Sequence, residues 1–242
     1  MEHRNSVAFE VFGEYGLFSD PVTRVGGEKF TYQVPTYEAL KGILQSIYWK
    51  PTLIWVIDKV RVMNPIQMET KGIRPVKYYS DKNDLSYYTY LKDCRYQVLA
   101  HFIWNENRPE LAADRNENKH HNIARRMIER GGRRDIFLGT RECQGYVEPC
   151  TFAEEEKRGA YASIDELRFG MMYHGITYAD EAYSEETKGK MSIRLWDAVM
   201  RNGVISFPPP WECIHKTVRE MEIKPFGEHL GNFSVITGEE VE

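Results

Sequence analysis

Apolar positions change their spacing several times along the chain, and each change marks an element. Val7 to Val11 reads as a short strand closed by Gly13 and Gly16. A loop over Ser19 to Thr31, with Pro21, Gly26 and Gly27, leads to a helix start at Pro35-Thr36. Leu40, Ile43, Leu44 and Ile47 then recur at helical spacing, which predicts one buried stripe, and Pro51 stops the helix. Leu53 to Met63 and Arg95 to Trp104 predict a second and a third strand on either side of a Tyr-rich insertion. A second helix is expected from Asn118, as N-cap, to a stop at Gly131-Gly132, followed by a short fourth strand at Ile136 to Leu138.

The order strand, helix, strand, strand, helix, strand is the ferredoxin-like pattern. Beyond Tyr146 the chain has an acidic run at Glu154 to Glu156. β-like pieces follow around Phe169 to Tyr178, Ser192 to Ala198 and Val204 to Phe207, and then the Pro208 to Pro210 triplet. The predicted fold class is therefore α+β. A ferredoxin-like (RRM-like) N-terminal domain over 1–147 is followed by a smaller antiparallel β-sheet domain over 148–225 and a loose tail over 226–242.

With 242 residues and 42% hydrophobic content the chain can bury real cores. No signal peptide and no run of 18 apolar residues is readable, so a cytoplasmic protein with no membrane contact is expected. Cys94, Cys143, Cys150 and Cys213 lack paired zinc-site spacing and read as free structural thiols. The net charge is −4. Against that background, Arg115 to Arg141 holds eight Lys or Arg and three acids, Glu117, Glu129 and Asp135. Such local enrichment predicts a phosphate-facing stripe within an otherwise acidic protein. The stripe begins at Lys119-His120-His121, where imidazoles can move protons and a lysine can hold a developing anion. That combination suggests RNA cleavage.

Three strings carry a family likeness: VAFEVFGEYGLFSDP at 7–21, VPTYEALKGILQSIYWKP at 34–51 and ENKHHNIARRMIERGGRRDIFLGTRECQGYVEP at 117–149. They resemble the CRISPR-associated endoribonucleases of type I-C systems, the catalytic branch of the fifth Cas protein family within the RAMP superfamily. The resemblance implies metal-independent, cofactor-free cleavage of CRISPR precursor RNA within its repeat, at the base of the hairpin. The protein would then stay on the 5′ handle of the mature RNA, beside other subunits of the interference complex; contact with target DNA is left open. The family's catalytic tyrosine falls on Tyr48 and its Lys-His pair on Lys119 and His120.

Cleavage of this kind uses the 2′-hydroxyl as nucleophile and leaves a 2′,3′-cyclic phosphate. One proton must be removed, another supplied, and charge on phosphorus stabilised. Lys119 is suited to stabilise the charge and His120 to act as acid or base, while Tyr48 suits proton relay or orientation. With Asn118 as N-cap, His120 falls on the stripe of Ile123, Ala124, Met127 and Ile128, at a surface edge facing the first helix. The bland alternatives are a satisfied core histidine and, for Tyr48, a ring packed at the core edge with its hydroxyl in water.

His121, about 100° round the helix, is expected to face solvent or RNA. Arg125, Arg126, Arg130, Arg133, Arg134 and Arg141 are candidates for backbone phosphates, against a solvated face paired with acids such as Glu129. Tyr78, Tyr79, Tyr87, Tyr88 and Tyr90, interleaved with cations, could stack bases or pack as an inserted hairpin. Two other readings stay open, a non-catalytic subunit that only clamps the 5′ handle and a generic RNA-recognition module.

Overall fold

The computed structural model describes residues 3–21, 28–153 and 158–223. The glycines at 26 and 27, the acidic run at 154–156 and the expected tail over 226–242 lie outside them. The elements are β1 (Val7–Gly16), β2 (Lys29–Phe30), α1 (Tyr37–Ile47), β3 (Leu53–Val62), β4 (Gln67–Ile73), β5 (Ser86–Trp104), α2 (Glu117–Glu129), β6 (Ile136–Phe137) and β7 (Gln144–Pro149). After them come β8 (Leu167–Thr177), β9 (Lys190–Arg201), β10 (Val204–Ser206) and β11 (Ile214–Glu220).

The four central strands lie in the order β3-β5-β1-β7, each antiparallel to its neighbour. With α1 between β1 and β3, and α2 between β5 and β7, this is the ferredoxin-like arrangement. Alternation decides the faces. Phe9, Val98 and Val60 sit opposite one another across three strands, as do Val11, Tyr96 and Val62, and all are buried under the helices. On the reverse face Glu10, Gln97 and Arg61 form an equally buried polar row. Arg61 Nη1 donates to Gln97 Oε1 at 2.8 Å, and Gln97 Nε2 donates to Glu10 Oε2 at 3.2 Å. The Arg61 guanidinium is roofed by the Phe152 ring at 4.4 Å, so the row is satisfied although buried.

The hydrogen-bonded ladder continues from β3 into β10 and then into β9, which is flanked by β8 and β11. The expected boundary between 147 and 148 falls inside β7. Helix α1 is held by the later strands as well as by the central sheet. Tyr37 stacks on His174 at 4.0 Å, Arg194 Nη2 donates to Glu38 Oε2 at 3.1 Å, and Lys41 pairs with Glu181. The buried residues of both halves form one apolar cluster.

Several expectations shift. Helix α1 has Thr36 as its N-cap and buries the predicted stripe. Helix α2 starts two residues before the expected Asn118 cap, because Asn116 accepts the Lys119 N–H at 3.0 Å. Its C-terminus closes as expected, with Gly131 and Gly132 at positive φ and their N–H groups bonded to Ile128 and Met127 carbonyls. The fourth strand of the unit is chiefly β7, with Ile136–Phe137 only a short partner to it. The Tyr-rich segment belongs mostly to the β4–β5 hairpin. No helix among the described residues is long and apolar enough to cross a membrane.

A candidate catalytic site between two helix ends

The C-terminus of α1 and the N-terminus of α2 meet on the helical face of the sheet. Tyr48 is the C-cap of α1, in extended conformation, with its N–H on the Leu44 carbonyl at 2.9 Å. Its own carbonyl accepts the Trp55 indole N–H at 2.8 Å, which ties the helix end to β3. His120 stands in the first turn of α2, walled by Phe102 and Trp104 of β5. The Tyr48 hydroxyl lies 2.7 Å from His120 Nδ1.

The remaining contacts fix the tautomer. His120 Nε2 is 2.8 Å from the backbone carbonyl of Asp114, which can only accept, so Nε2 carries the proton. Nδ1 is then the acceptor for the Tyr48 O–H. The ring thus turns Nδ1 to the phenol, with the Asp114 carboxylate 3.5 Å behind Nε2. The same carboxylate pairs with Lys119 and accepts the Thr52 hydroxyl at 2.8 Å. The Lys119 ammonium, ahead of Thr52 and His120, holds the Asp114 carboxyl below the ordinary carboxylate value. Burial, and then the Asp114 charge, push the Tyr48 phenol up to about 12, with Arg133 pulling the other way.

The structure therefore joins Tyr48, Lys119 and His120 in one cluster, but not in the predicted setting. His120 is wholly buried rather than placed at a surface edge, because α2 starts earlier and its first turn is roofed by Phe102 and Trp104. Tyr48 is 3% exposed, and its hydroxyl is on His120, not in water as in the bland alternative for this residue. Lys119 is the exposed member. His121 stands apart: half-buried, it donates from Nε2 to the Ser6 carbonyl at 3.0 Å and fastens α2 to the start of the chain. Asp114 was not singled out from the sequence. Its signal there is modest, an acid five and six residues ahead of Lys119 and His120.

All six candidate arginines, Arg125, Arg126, Arg130, Arg133, Arg134 and Arg141, are exposed, and none forms an ion pair among the described residues. Arg126 and Arg130 share a face of α2 at helical spacing. Arg133 and Arg134 follow the helix and border a cavity with the end of α1. Arg141 lies in the β6–β7 turn, its guanidinium 5.8 Å from the Phe137 ring. At the β4–β5 hairpin the tyrosines divide. Tyr90 is packed inside, whereas Tyr78 and Tyr79 stand 91% and 94% exposed at the tip. His174 is structural, buried between the Pro208 carbonyl and the Arg194 guanidinium.

Among the described residues one group has the composition of a metal site. His3, Asp58 and His101 each bring a ligand atom within 4.8 Å of the others. It lies on the β5 face opposite Phe102, away from Tyr48. The His3 and His101 rings stack at 3.7 Å, so their faces rather than their lone pairs meet, and His101 Nδ1 is already on Asp58 at 2.9 Å.

The family described as CRISPR-associated protein (Cas_Cas5) matches residues 6–208. The CRISPR pre-crRNA endoribonuclease Cas5d of Mannheimia succiniciproducens is 26% identical over 234 residues, which span 85% of this chain and 96% of that protein. A crystal structure of a CRISPR-associated protein superposes with a TM-score of 0.72 at 36% identity, over 88% of this chain and 96% of the other. The crystal structure of SMU1763c from Streptococcus mutans, a functionally uncharacterized protein, does so at 0.71 and 39% identity, over 88% and 97%.

Proposed function

The chain belongs to the CRISPR-associated Cas5 family, within the RAMP superfamily, and on that premise we propose that it is a CRISPR precursor-RNA endoribonuclease of the type I-C kind. It cuts within the repeat at the base of the hairpin, without a metal ion, and keeps the 5′ handle as a subunit of the interference complex. The observation that carries this reading is the 2.7 Å bond from the Tyr48 hydroxyl to an imidazole whose Nδ1 is free to accept a proton.

In the proposed reaction the substrate 2′-oxygen attacks the adjacent phosphorus, and the bond to the 5′-oxygen breaks. The 2′-hydroxyl proton passes to the Tyr48 oxygen as the phenolic proton passes to His120 Nδ1. A phenol held near 12 does not ionise at neutral pH, so its oxygen serves as a relay while the imidazole is the net base. The Asp114 carboxylate stabilises the imidazolium that results. Lys119, exposed beside it, neutralises the phosphorane and supplies a proton to the leaving 5′-oxygen. Each of these groups is worth about 10² to 10⁴ in rate.

The runner-up is a subunit that clamps the 5′ handle and does not cut. The burial of Tyr48 and His120 favours it, since RNA must first open a path to the phenol. A repeat RNA with hydrogen in place of the 2′-hydroxyl at the cut separates the two. The nuclease is expected to bind this RNA and the natural one equally tightly and to cut only the natural one, whereas the clamp binds both and cuts neither. Cleavage of the deoxy substrate at an unchanged rate would exclude 2′-oxygen attack.

A further inference from the structure

Between the C-terminal half of α1 and the segment after α2 lies a cavity of about 350 Å³, lined by Gly42, Gln45, Ser46, Trp49, Arg133 and Arg134. Its size falls within the range of small-ligand sites. The lining contains a tryptophan and two arginines, with no acidic residue among them. Trp49 is 46% exposed, unlike Tyr48 beside it, and it follows that catalytic candidate directly in the chain. Gly42 contributes a floor without a side chain; a Cβ there would touch nothing within 4 Å, so packing does not explain a glycine inside this helix. The Arg134 N–H caps the Ser46 carbonyl at 3.1 Å and fixes the far wall, leaving both guanidinium groups without an acidic partner among the described residues. Arg133 is close enough to pull on the Tyr48 phenol electrostatically.

We propose that this cavity is a nucleotide subsite. Trp49 stacks one unpaired base of the RNA flanking the scissile phosphate, and Arg133 and Arg134 hold the phosphate of that nucleotide. The inference rests on the RNA-cleaving reading above and adds the residues that set the strand in register with Tyr48. An indole face tolerates any base, whereas a guanidinium fork is specific for phosphate oxygens. The subsite therefore recognises an unstacked strand at the foot of a hairpin, not a particular sequence. Paired nucleotides would be excluded, because their bases are already stacked.

The test uses the full chain and repeat RNA in which a single abasic nucleotide is moved stepwise through the strand, with affinity and single-turnover cleavage measured separately. Trp49→Ala is expected to weaken binding between about 5-fold and about 100-fold, the range of one lost base–aromatic stack, while Trp49→Phe retains most of the affinity. At one abasic position the wild-type protein should lose affinity by the same factor, and Trp49→Ala should lose nothing more. Arg133→Gln should lower the dependence of log affinity on log salt by about 0.7, one single-strand phosphate. Undiminished affinity in Trp49→Ala, or abasic losses that add to it at every position, would overturn the subsite. Binding without cutting by wild type would refute the nuclease but leave this double comparison readable. Failure of wild type to bind the repeat at all would contradict both.

Discussion

Tyr48, His120 and Asp114 form a hydrogen-bonded line, hydroxyl to imidazole to backbone carbonyl, and that line gives the sharpest expectations for single residues. Tyr48→Phe keeps the ring in its packing and removes only the hydroxyl. Cleavage by this variant should fall at least about 100-fold, with RNA affinity within a few-fold of wild type, in paired single-turnover and binding assays. His120→Ala is a less clean probe. It leaves a void beside Trp104 and strips partners from the Tyr48 hydroxyl and the Asp114 carbonyl, at a cost of about 1–3 kcal/mol for an unsatisfied buried group, so its melting temperature must be measured alongside. Arg126→Ala should do the opposite of Tyr48→Phe, weakening binding and its salt dependence while the rate at saturating RNA stays near wild type. The pairing of Tyr48 with Lys119 and His120 was readable in the sequence through family resemblance. Their burial was not, because it depends on Phe102 and Trp104 arriving from a strand whose alternation says which face is apolar but not what it meets.

At the scale of elements, the well-read ones were those with strong apolar periodicity and a definite cap. Helix α1 has both, in Leu40, Ile43, Leu44 and Ile47 behind Thr36. Strand β7 escaped notice because it buries only Gly145 and Val147, so one valine carries its whole pattern. Strands β4 and β11 are mostly exposed, so little apolar pattern marks them in the sequence. Asn118 drew the cap assignment away from Asn116, since either asparagine satisfies the local rule, and it is Asn116 that accepts the Lys119 N–H. The turn between β6 and β7 supplies an element-scale prediction. Gly139 has φ +95°, and a Cβ on it would run into the Leu17 carbonyl. Gly139→Ala should therefore destabilise the protein by more than about 1 kcal/mol, read as a melting temperature lower by a few degrees. A variant as stable as wild type would mean that this turn is free to rearrange.

Across the whole molecule the two halves act on the site through α1, whose one side faces the central sheet and whose other carries Tyr37, Glu38 and Lys41 to the later strands. His174 sits at that junction, and burial, followed by the Arg194 charge, lowers it to about 3. An unfolded histidine titrates near 6.5, so between these values the unfolded chain binds the extra proton. Stability is thus full above about pH 6.5 and declines as pH falls towards 3, at a slope of at most about 1.4 kcal/mol per pH unit for this group. In urea titrations at pH 7 and pH 5, wild type should lose more stability between the two than His174→Gln does; equal losses would remove His174 as the acid-sensitive link. The strand-by-strand order of the ferredoxin-like unit was legible, whereas the continuation of its ladder from β3 into β10 was not, because strand pairing across so much chain leaves no local mark on either sequence.

Incubation of purified protein with end-labelled CRISPR repeat RNA in EDTA, wild type beside Tyr48→Phe, tests the central claim most directly. The account predicts a single cut at the base of the hairpin by wild type alone, ending in a 2′,3′-cyclic phosphate, with both proteins binding the RNA. Tight binding by wild type with no cut, or equal cutting by the two, would contradict it.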